Sequence, residues 1–201
     1  VLALLFLMGC QAKPATDDTD SDVSIVEWEH SDIYTDADIQ AAMDTVMTLT
    51  AYGNNREAGL DAAQSVIHSM DSILDPELDT SITYAINNAQ GANVSITAQV
   101  ANMLATAKDV YDKSNGSLDL SLYPVIKLWG FVDGHYYVPT DEEISQNLAL
   151  KAFDKMALTS FPSSGSYAVS FPAGTQISFA SVAKGCAAEN AIDAMRKAGV
   201  T

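Results

Sequence analysis

Between Gln11 and Gln40 the chain reads QAKPATDDTDSDVSIVEWEHSDIYTDADIQ, and no other stretch limits so strongly what can fold. Asp17, Asp18, Asp20, Asp22, Glu27, Glu29, Asp32, Asp36 and Asp38 face a single lysine there, Lys13. Like charges at this density repel, and there is too little apolar surface to offset the entropy of ordering the backbone. A solvated tether is expected over residues 10–40, which leaves folding to the residues from about Ala41 onward. The stretch also holds a good part of the net charge of −16. That sign, with no basic stripe anywhere, argues against a nucleic-acid partner, whose phosphates need cations to neutralise them.

Ahead of the tether stands VLALLFLMGC. The apolar run Val1–Met8 is too short to span a bilayer as a helix. It reads as the apolar part of a secretory signal, with a buried strand or helix as the other reading. Leu7-Met8-Gly9-Cys10 resembles the bacterial lipobox. That implies a partial lipoprotein signal peptide over residues 1–9 and a lipid on Cys10. An acidic tether does not adhere to anionic lipid, so attachment would rest on the acyl chains, and stable anchoring takes more than one signal. The expected location is the bacterial cell envelope, lipid-anchored and facing outside the cytoplasm. With no Met at the start and a helix ending just before Thr201, both ends look cut, and a longer parent protein is expected. Cys186 is the other cysteine; with Cys10 acylated it has no partner, so no disulfide framework is expected. His30, His68 and His135 lie far apart without metal-ligand spacing, and structural or solvent-facing positions are expected for them.

From about Ala41 the composition becomes that of a globular domain, and enough chain remains to bury one core. VMTLTAYG (46–53) alternates and is rich in β-branched and aromatic residues, which predicts a strand with a glycine stop. Leu60, Ala63, Ile67, Met70 and Leu74 recur at steps of three and four. They form one face of a helix over about Arg56–Leu74, ended by Asp75-Pro76. A second helix is predicted over about Ala98–Lys113, with Thr97 as N-cap and Asn115-Gly116 closing it. Thr140 and Glu143 form a capping box that opens a third. SYAVSF and TQISFA are predicted to pair as short strands across Pro172-Ala173-Gly174. A final helix follows from about Lys184 to Lys197, with Gly199 as its stop. Strands and helices mix without regular βαβ alternation, so the predicted class is α+β, a mixed sheet with packed helices.

The last of these junctions carries the chemistry. QISFA leads into SVAKGCAAENAIDAMRK, so the predicted strand meets the predicted helix through small residues, Ser181, Ala183 and Gly185. The first turn of a helix leaves N–H groups free and is electropositive, and Lys184 adds a full charge. Read alone, this is either an anion site suited to a phosphate or pyrophosphate, or a tightly packed junction with a surface lysine.

Four stretches occur in a fixed order: DTVMTLTAYG, SITYAINNA, NGSLDLSLYPVIKLWGF and ISFASVAKGCAAENAIDAMRKAGV. The set resembles the ApbE family, the FAD:protein FMN transferases of the bacterial cell envelope, over Asp44 to Val200. Its members show an M-G-T strand followed by Y-G, an S-x-I-x-x-x-N segment, G-(A/S)-x-D leading to L-W-G-F, and a D-L-G-G-I-A-K-G-Y-A-x-D turn. The resemblance implies an ApbE-like fold over residues 41–201, cut short at the C-terminus. It implies transfer of FMN from FAD to a threonine or serine hydroxyl of an exported acceptor protein, with release of AMP and dependence on Mg²⁺. A flavin-binding or FAD-hydrolysing envelope lipoprotein of the same fold, and a non-enzymatic surface lipoprotein, remain as alternatives.

Carried over residue by residue, the resemblance implies that Met47 contacts the flavin dinucleotide. Ser117, Leu118 and Asp119 would hold its adenosine end. Lys184 would lie near the pyrophosphate, with Glu189 and Asn190 as further contacts. Ala187 matches an alanine whose backbone carbonyl coordinates Mg²⁺, a hard cation that takes oxygen ligands. Trp129 reads as a contact or equally as a core aromatic. The departures are specific. Thr48 stands where the family has Gly, Glu77 where a flavin-contacting Tyr is expected, Ser178 for the Asp of D-L-G-G, and Ala180-Ser181 for its glycines. Cys186 replaces a Tyr, and a thiol at an electropositive helix start is expected to be somewhat reactive. The family's side-chain metal ligands, an Asp and a Thr, lie C-terminal to the matched region. The sequence as it stands is therefore expected to be inactive, with no catalytic residue of its own.

Overall fold

A computed structural model of the chain describes residues 42–45, 47–51 and 55–200. The signal-like run, Cys10, the tether, Val46, Tyr52, Gly53 and Thr201 lie outside the described residues. The architecture is α+β, as the patterning predicts. Among the described residues, six α-helices, α1 (Arg56–Leu74), α2 (Ile82–Asn87), α3 (Ala98–Lys113), α4 (Tyr123–Leu128), α5 (Asp141–Leu148) and α6 (Ala180–Lys197), accompany three strands. These are β1 (Val94–Ile96), β2 (Ala157–Phe161) and β3 (Ser166–Ser170).

The helix predictions that rest on apolar spacing and caps match the structure. In α1 the buried face comprises Gly59, Leu60, Ala63, Ile67, Met70 and Leu74. Thr97 caps α3 by accepting from the Val100 N–H at 3.3 Å. Asn115 and Gly116 adopt positive φ, and the Gly116 N–H reaches back to the Tyr111 carbonyl at 2.8 Å, which closes the helix. The Thr140–Glu143 capping box opens α5. Gly199, at φ +92°, ends α6, and the Val200 N–H bonds the Met195 carbonyl at 3.1 Å. α1 and α6 pack face to face. A Cβ on Gly59 would lie 2.3 Å from Val200 Cγ2, so glycine sets how closely the end of α6 approaches. Leu104 and Phe153, 0 % and 1 % exposed, sit in one core with Ile67, Val169 and Phe179. Burying each such side chain contributes roughly 2–3 kcal/mol.

Three strand expectations are corrected. Met47–Ala51 carries no strand pairing among the described residues, although its side chains still alternate between half-buried and exposed before Ala51 is buried. The alternation is there, but a strand needs a neighbour to bond. SYAVS does form a strand, but β3 pairs antiparallel with β2 on one side and β1 on the other, in the order β1-β3-β2. The β2–β3 turn, Pro162 to Gly165, closes through Gly165 at φ +67°, whose N–H bonds the Phe161 carbonyl at 2.9 Å. TQISF is not a strand. Its backbone is satisfied by a side chain instead: Asn87 accepts from the Ile177 N–H at 2.7 Å and donates to the Ile177 carbonyl at 3.0 Å. The Ser178 N–H goes to the Leu120 carbonyl at 3.0 Å. Finally, α6 begins at Ala180 rather than near Lys184. Ser181, Val182 and Ala183 are helical, and the small residues make a close-packed first turn rather than a loop.

Candidate functional site

Two clefts flank α6, and Lys184 lines both. The first encloses about 310 Å³. One wall is the lead-in and first turn of α6, from Ser178 to Ala183; the other is the turn after α1 with Glu77, and Tyr123 and Ile126 of α4. The second, about 460 Å³, lies between residues 45 and 47–50 and the apolar side of α6, with Met47, Leu49, Ala191 and Met195 in its walls. Because α6 starts at Ala180, Lys184 stands in the second turn, beyond the amides that a helix leaves free. The Ala180 N–H is taken by Ser178 Oγ at 3.2 Å, and the Val182 and Ala183 N–H groups by the Phe179 carbonyl at 2.8 Å. Lys184 is exposed and forms no salt bridge among the described residues. It is a cation held between two concave surfaces, next to a helix start built of small side chains.

Across the first cleft the chemistry is charged. The Tyr123 hydroxyl donates to Glu77 Oε1, and Lys127 Nζ reaches the same oxygen at 2.9 Å. The Lys127 ammonium also sits 5.6 Å from the centre of the Tyr123 ring, within cation–π range. The Tyr123 hydroxyl, followed by Lys127, holds the Glu77 carboxyl below the usual carboxylate range. Burial, then the hydrogen bond to Glu77, pushes the Tyr123 phenol far above its ordinary value. Tyr123 therefore acts as a neutral donor at any physiological pH. Tyr123 and Lys127 lie one turn apart on α4, inside the motif that carries the resemblance, yet no local pattern singles them out. Their joint partner lies 46 and 50 residues away.

Of the residues taken from the resemblance, Met47, Glu77 and Lys184 come to the cleft walls. Ser117, Leu118 and Asp119 line neither of these two clefts. Ser117 Oγ donates to the Ser114 carbonyl at 2.8 Å, and Leu118 packs against the core. The Asp119 side chain is 2 % exposed and paired with Lys151 at 3.1 Å. Glu189 is exposed on α6, and Asn190 donates to the Cys186 carbonyl at 2.7 Å. Trp129 ends α4 half-buried, outside the core, stacked on the exposed Phe131 with ring centres 6.5 Å apart. His68 and His135 are exposed, as expected.

The expected reactivity of Cys186 is corrected. It sits in the second turn of α6, half-buried, and burial followed by the nearby Glu189 carboxylate raises its thiol above the ordinary value. Both effects keep the thiol protonated and slow it as a nucleophile. The residues described do not by themselves complete a site for Mg²⁺. No group of three or more His, Cys, Asp or Glu gathers among them. Ala187 is fully buried inside α6, where helical geometry directs its carbonyl to the N–H four residues on.

The ApbE family model matches residues 43–201. The chain belongs to the ApbE family. Solved structures agree on the fold. The ApbE protein of Thermotoga maritima superposes with a TM-score of 0.72 at 15 % identity, over 88 % of this chain and 53 % of its own. The Pseudomonas stutzeri flavinyl transferase ApbE, in its apo form, gives 0.67 at 23 % identity, over 77 % and 50 %. The Vibrio cholerae flavin transferase ApbE gives 0.66 at 16 %, over 76 % and 50 %. The chain thus spans about half the length of these ApbE structures. No curated protein matches it.

Proposed function

We propose that the protein transfers the FMN half of FAD to a threonine or serine hydroxyl of an acceptor protein. Membership of the ApbE family over residues 43–201 carries this reading. The geometry fits it in one respect. A dinucleotide is long, with its negative charge in the middle, and Lys184 is the residue common to two clefts. A pyrophosphate beside Lys184 leaves one cleft for each end. In the reaction the acceptor oxygen bonds to the phosphorus on the riboflavin side. The anhydride bond to the other phosphate breaks, AMP leaves with the electron pair, and the hydroxyl proton is released. Lys184 would stabilise the charge that builds on the phosphates, the kind of preorganised electrostatics that dominates phosphoryl transfer. No step is assigned to Mg²⁺, since the described residues do not complete its site.

The reading also holds that Cys10 anchors the protein in the bacterial envelope and that the acceptor is an exported protein. The lipobox-like run Leu7–Cys10 is its support. To test the transfer, the full-length gene product is incubated with FAD and envelope proteins from a strain lacking the gene, with and without Mg²⁺. The expected result is a protein band whose flavin fluorescence survives denaturing electrophoresis, with AMP released in step. AMP with an equal amount of free FMN makes the protein a hydrolase instead. No AMP and no retained FAD overturn the flavin reading. Lys184→Met should weaken FAD binding about tenfold or more, the size expected for losing a charged hydrogen bond.

A further inference from the structure

We propose that the aromatic loop joining α4 to α5, residues 129–138, is the surface on which the acceptor protein docks. The acceptor meets it with an apolar patch rimmed by lysine or arginine. This rests on the transferase reading above and says where its protein substrate is held. Every residue from Phe131 to Val138 is exposed, before the chain turns back in at the buried Pro139. Phe131, Tyr136 and Val138 are 63, 69 and 80 % exposed, with Val132 and Tyr137 exposed beside them. Holding such side chains in water gains the fold nothing, and contiguous apolar patches with a polar rim mark contact sites.

Hydrogen bonds and ring contacts fix the shape of the loop. The Phe131 N–H bonds the Ile126 carbonyl at 3.3 Å, and the Gly134 N–H bonds the Gly130 carbonyl at 3.0 Å. The Asp133 carboxylate accepts from the His135 N–H at 3.0 Å. Gly130, at φ +74°, lets the chain fold back on itself: a Cβ there would lie 2.1 Å from the His135 carbonyl oxygen. That return sets Tyr136 edge-on to Phe131, with ring centres 5.7 Å apart, and Phe131 stacks in turn on Trp129. Aromatic side chains held in this way lose little freedom on binding, so they serve well as interface anchors.

Position and charge together choose the occupant. Phe131 and Val132 also line the first cleft, so the patch begins at the cleft and extends outward from it. The proposed transfer brings a second protein to that cleft, and its rim is where such a protein can be gripped. The rim is acidic. Asp133, Asp141, Glu142 and Glu143 flank the aromatic residues, and the lysine in the same stretch, Lys127, is paired with Glu77. Complementarity therefore calls for a basic rim on the partner. Two copies of this chain joined through the loop about a two-fold axis would set these acids against each other. The acid-rich residues 17–38 and an anionic lipid surface carry the same sign and are disfavoured likewise.

The test uses the full-length protein. Its probe is the envelope protein that becomes fluorescent in the transfer assay, purified without its flavin. Tyr136→Ser/Tyr137→Ser and Glu142→Lys are compared with wild type for initial flavinylation rate against acceptor concentration. The Kd for FAD, the denaturation midpoint and the mass in solution are measured alongside. The tyrosine variant should raise the acceptor KM about tenfold or more, the size of a lost hot spot, with kcat and the FAD Kd within about twofold. Glu142→Lys should raise KM about threefold at low salt, and the difference should vanish at about 0.5 M salt, where rim charges are screened. A wild-type KM in the tyrosine variant overturns the docking surface and leaves the transferase reading standing. An FAD Kd that weakens in step with KM means that the loop touches the flavin instead. A midpoint lowered by more than about 5 °C means that the protein's own chain packs on the loop, and a fall in mass means that a second copy does. Each of these also overturns the proposal. If the wild-type protein flavinylates nothing, the transferase reading fails and the docking surface falls with it.

Discussion

The two walls of the first cleft are built on opposite principles. The lead-in to α6 is neutral and dry. Ile177 and Phe179 are fully buried, and the backbone between them is satisfied by an asparagine side chain and one distant carbonyl. The facing wall is charged and wet, with Glu77 and Lys127 half-exposed and bound to each other and to Tyr123. Buried neutral groups are costly to leave unpaired, whereas exposed charges exchange protein partners for water at little loss. The same count of hydrogen bonds should therefore stabilise the two walls very unequally.

The largest effect is expected at Asn87. Its amide spans both polar groups of Ile177, and it is 5 % exposed. Asn87→Leu strands a buried donor and a buried acceptor, at a cost of about 3 kcal/mol or more in chemical denaturation. Asn87→Asp should be no better. It keeps the acceptor for the Ile177 N–H but turns an oxygen toward the Ile177 carbonyl and buries a charge. Ser178→Ala tests the same wall more gently. It removes the hydroxyl that accepts from the Ala180 N–H at the start of α6, and should cost about 1 kcal/mol, as loss of a helix-start cap usually does. If either Asn87 variant costs no more than Ser178→Ala, water reaches this wall and the contrast fails.

This neutral wall is also where local sequence signals run out. Helices α1 and α3 were legible to their end residues because apolar spacing and caps are local signals. The lead-in to α6 carries β-branched and aromatic residues that read as a strand. Whether they pair is decided by Asn87, 90 residues away. The start of α6 escapes the local pattern for a related reason. Ser181, Ala183 and Gly185 look like a turn, but a buried Phe179 and the Ser178 hydroxyl fix the first helical residue at Ala180. The site divides in the same way. Ordered motifs were enough to bring Met47, Glu77 and Lys184 to the cleft walls. The Tyr123–Lys127 pair, which gives Glu77 its setting, and the Lys151 partner of Asp119 depend on contacts that no local pattern encodes.

The charged wall gives the smallest expected effect and the clearest pH signature. Tyr123 and then Lys127 lower the folded-state value of the Glu77 carboxyl below its ordinary 4.5. A carboxyl that binds its proton less readily when folded stabilises the fold above the unfolded value. That contribution fades as pH falls below about 4.5 and through the folded value. With the side chain 47 % exposed, solvent screens the pair, and the contribution should stay below about 1 kcal/mol and shrink further in salt. Glu77→Gln keeps an acceptor for the Tyr123 hydroxyl but removes the charge facing Lys127. Denaturation at pH 7 should therefore show a loss smaller than that of Ser178→Ala, and the decline as pH falls below about 4.5 should flatten. A loss as large as that of Asn87→Leu, insensitive to salt, would mean that Glu77 is effectively buried. The two walls would then be built alike.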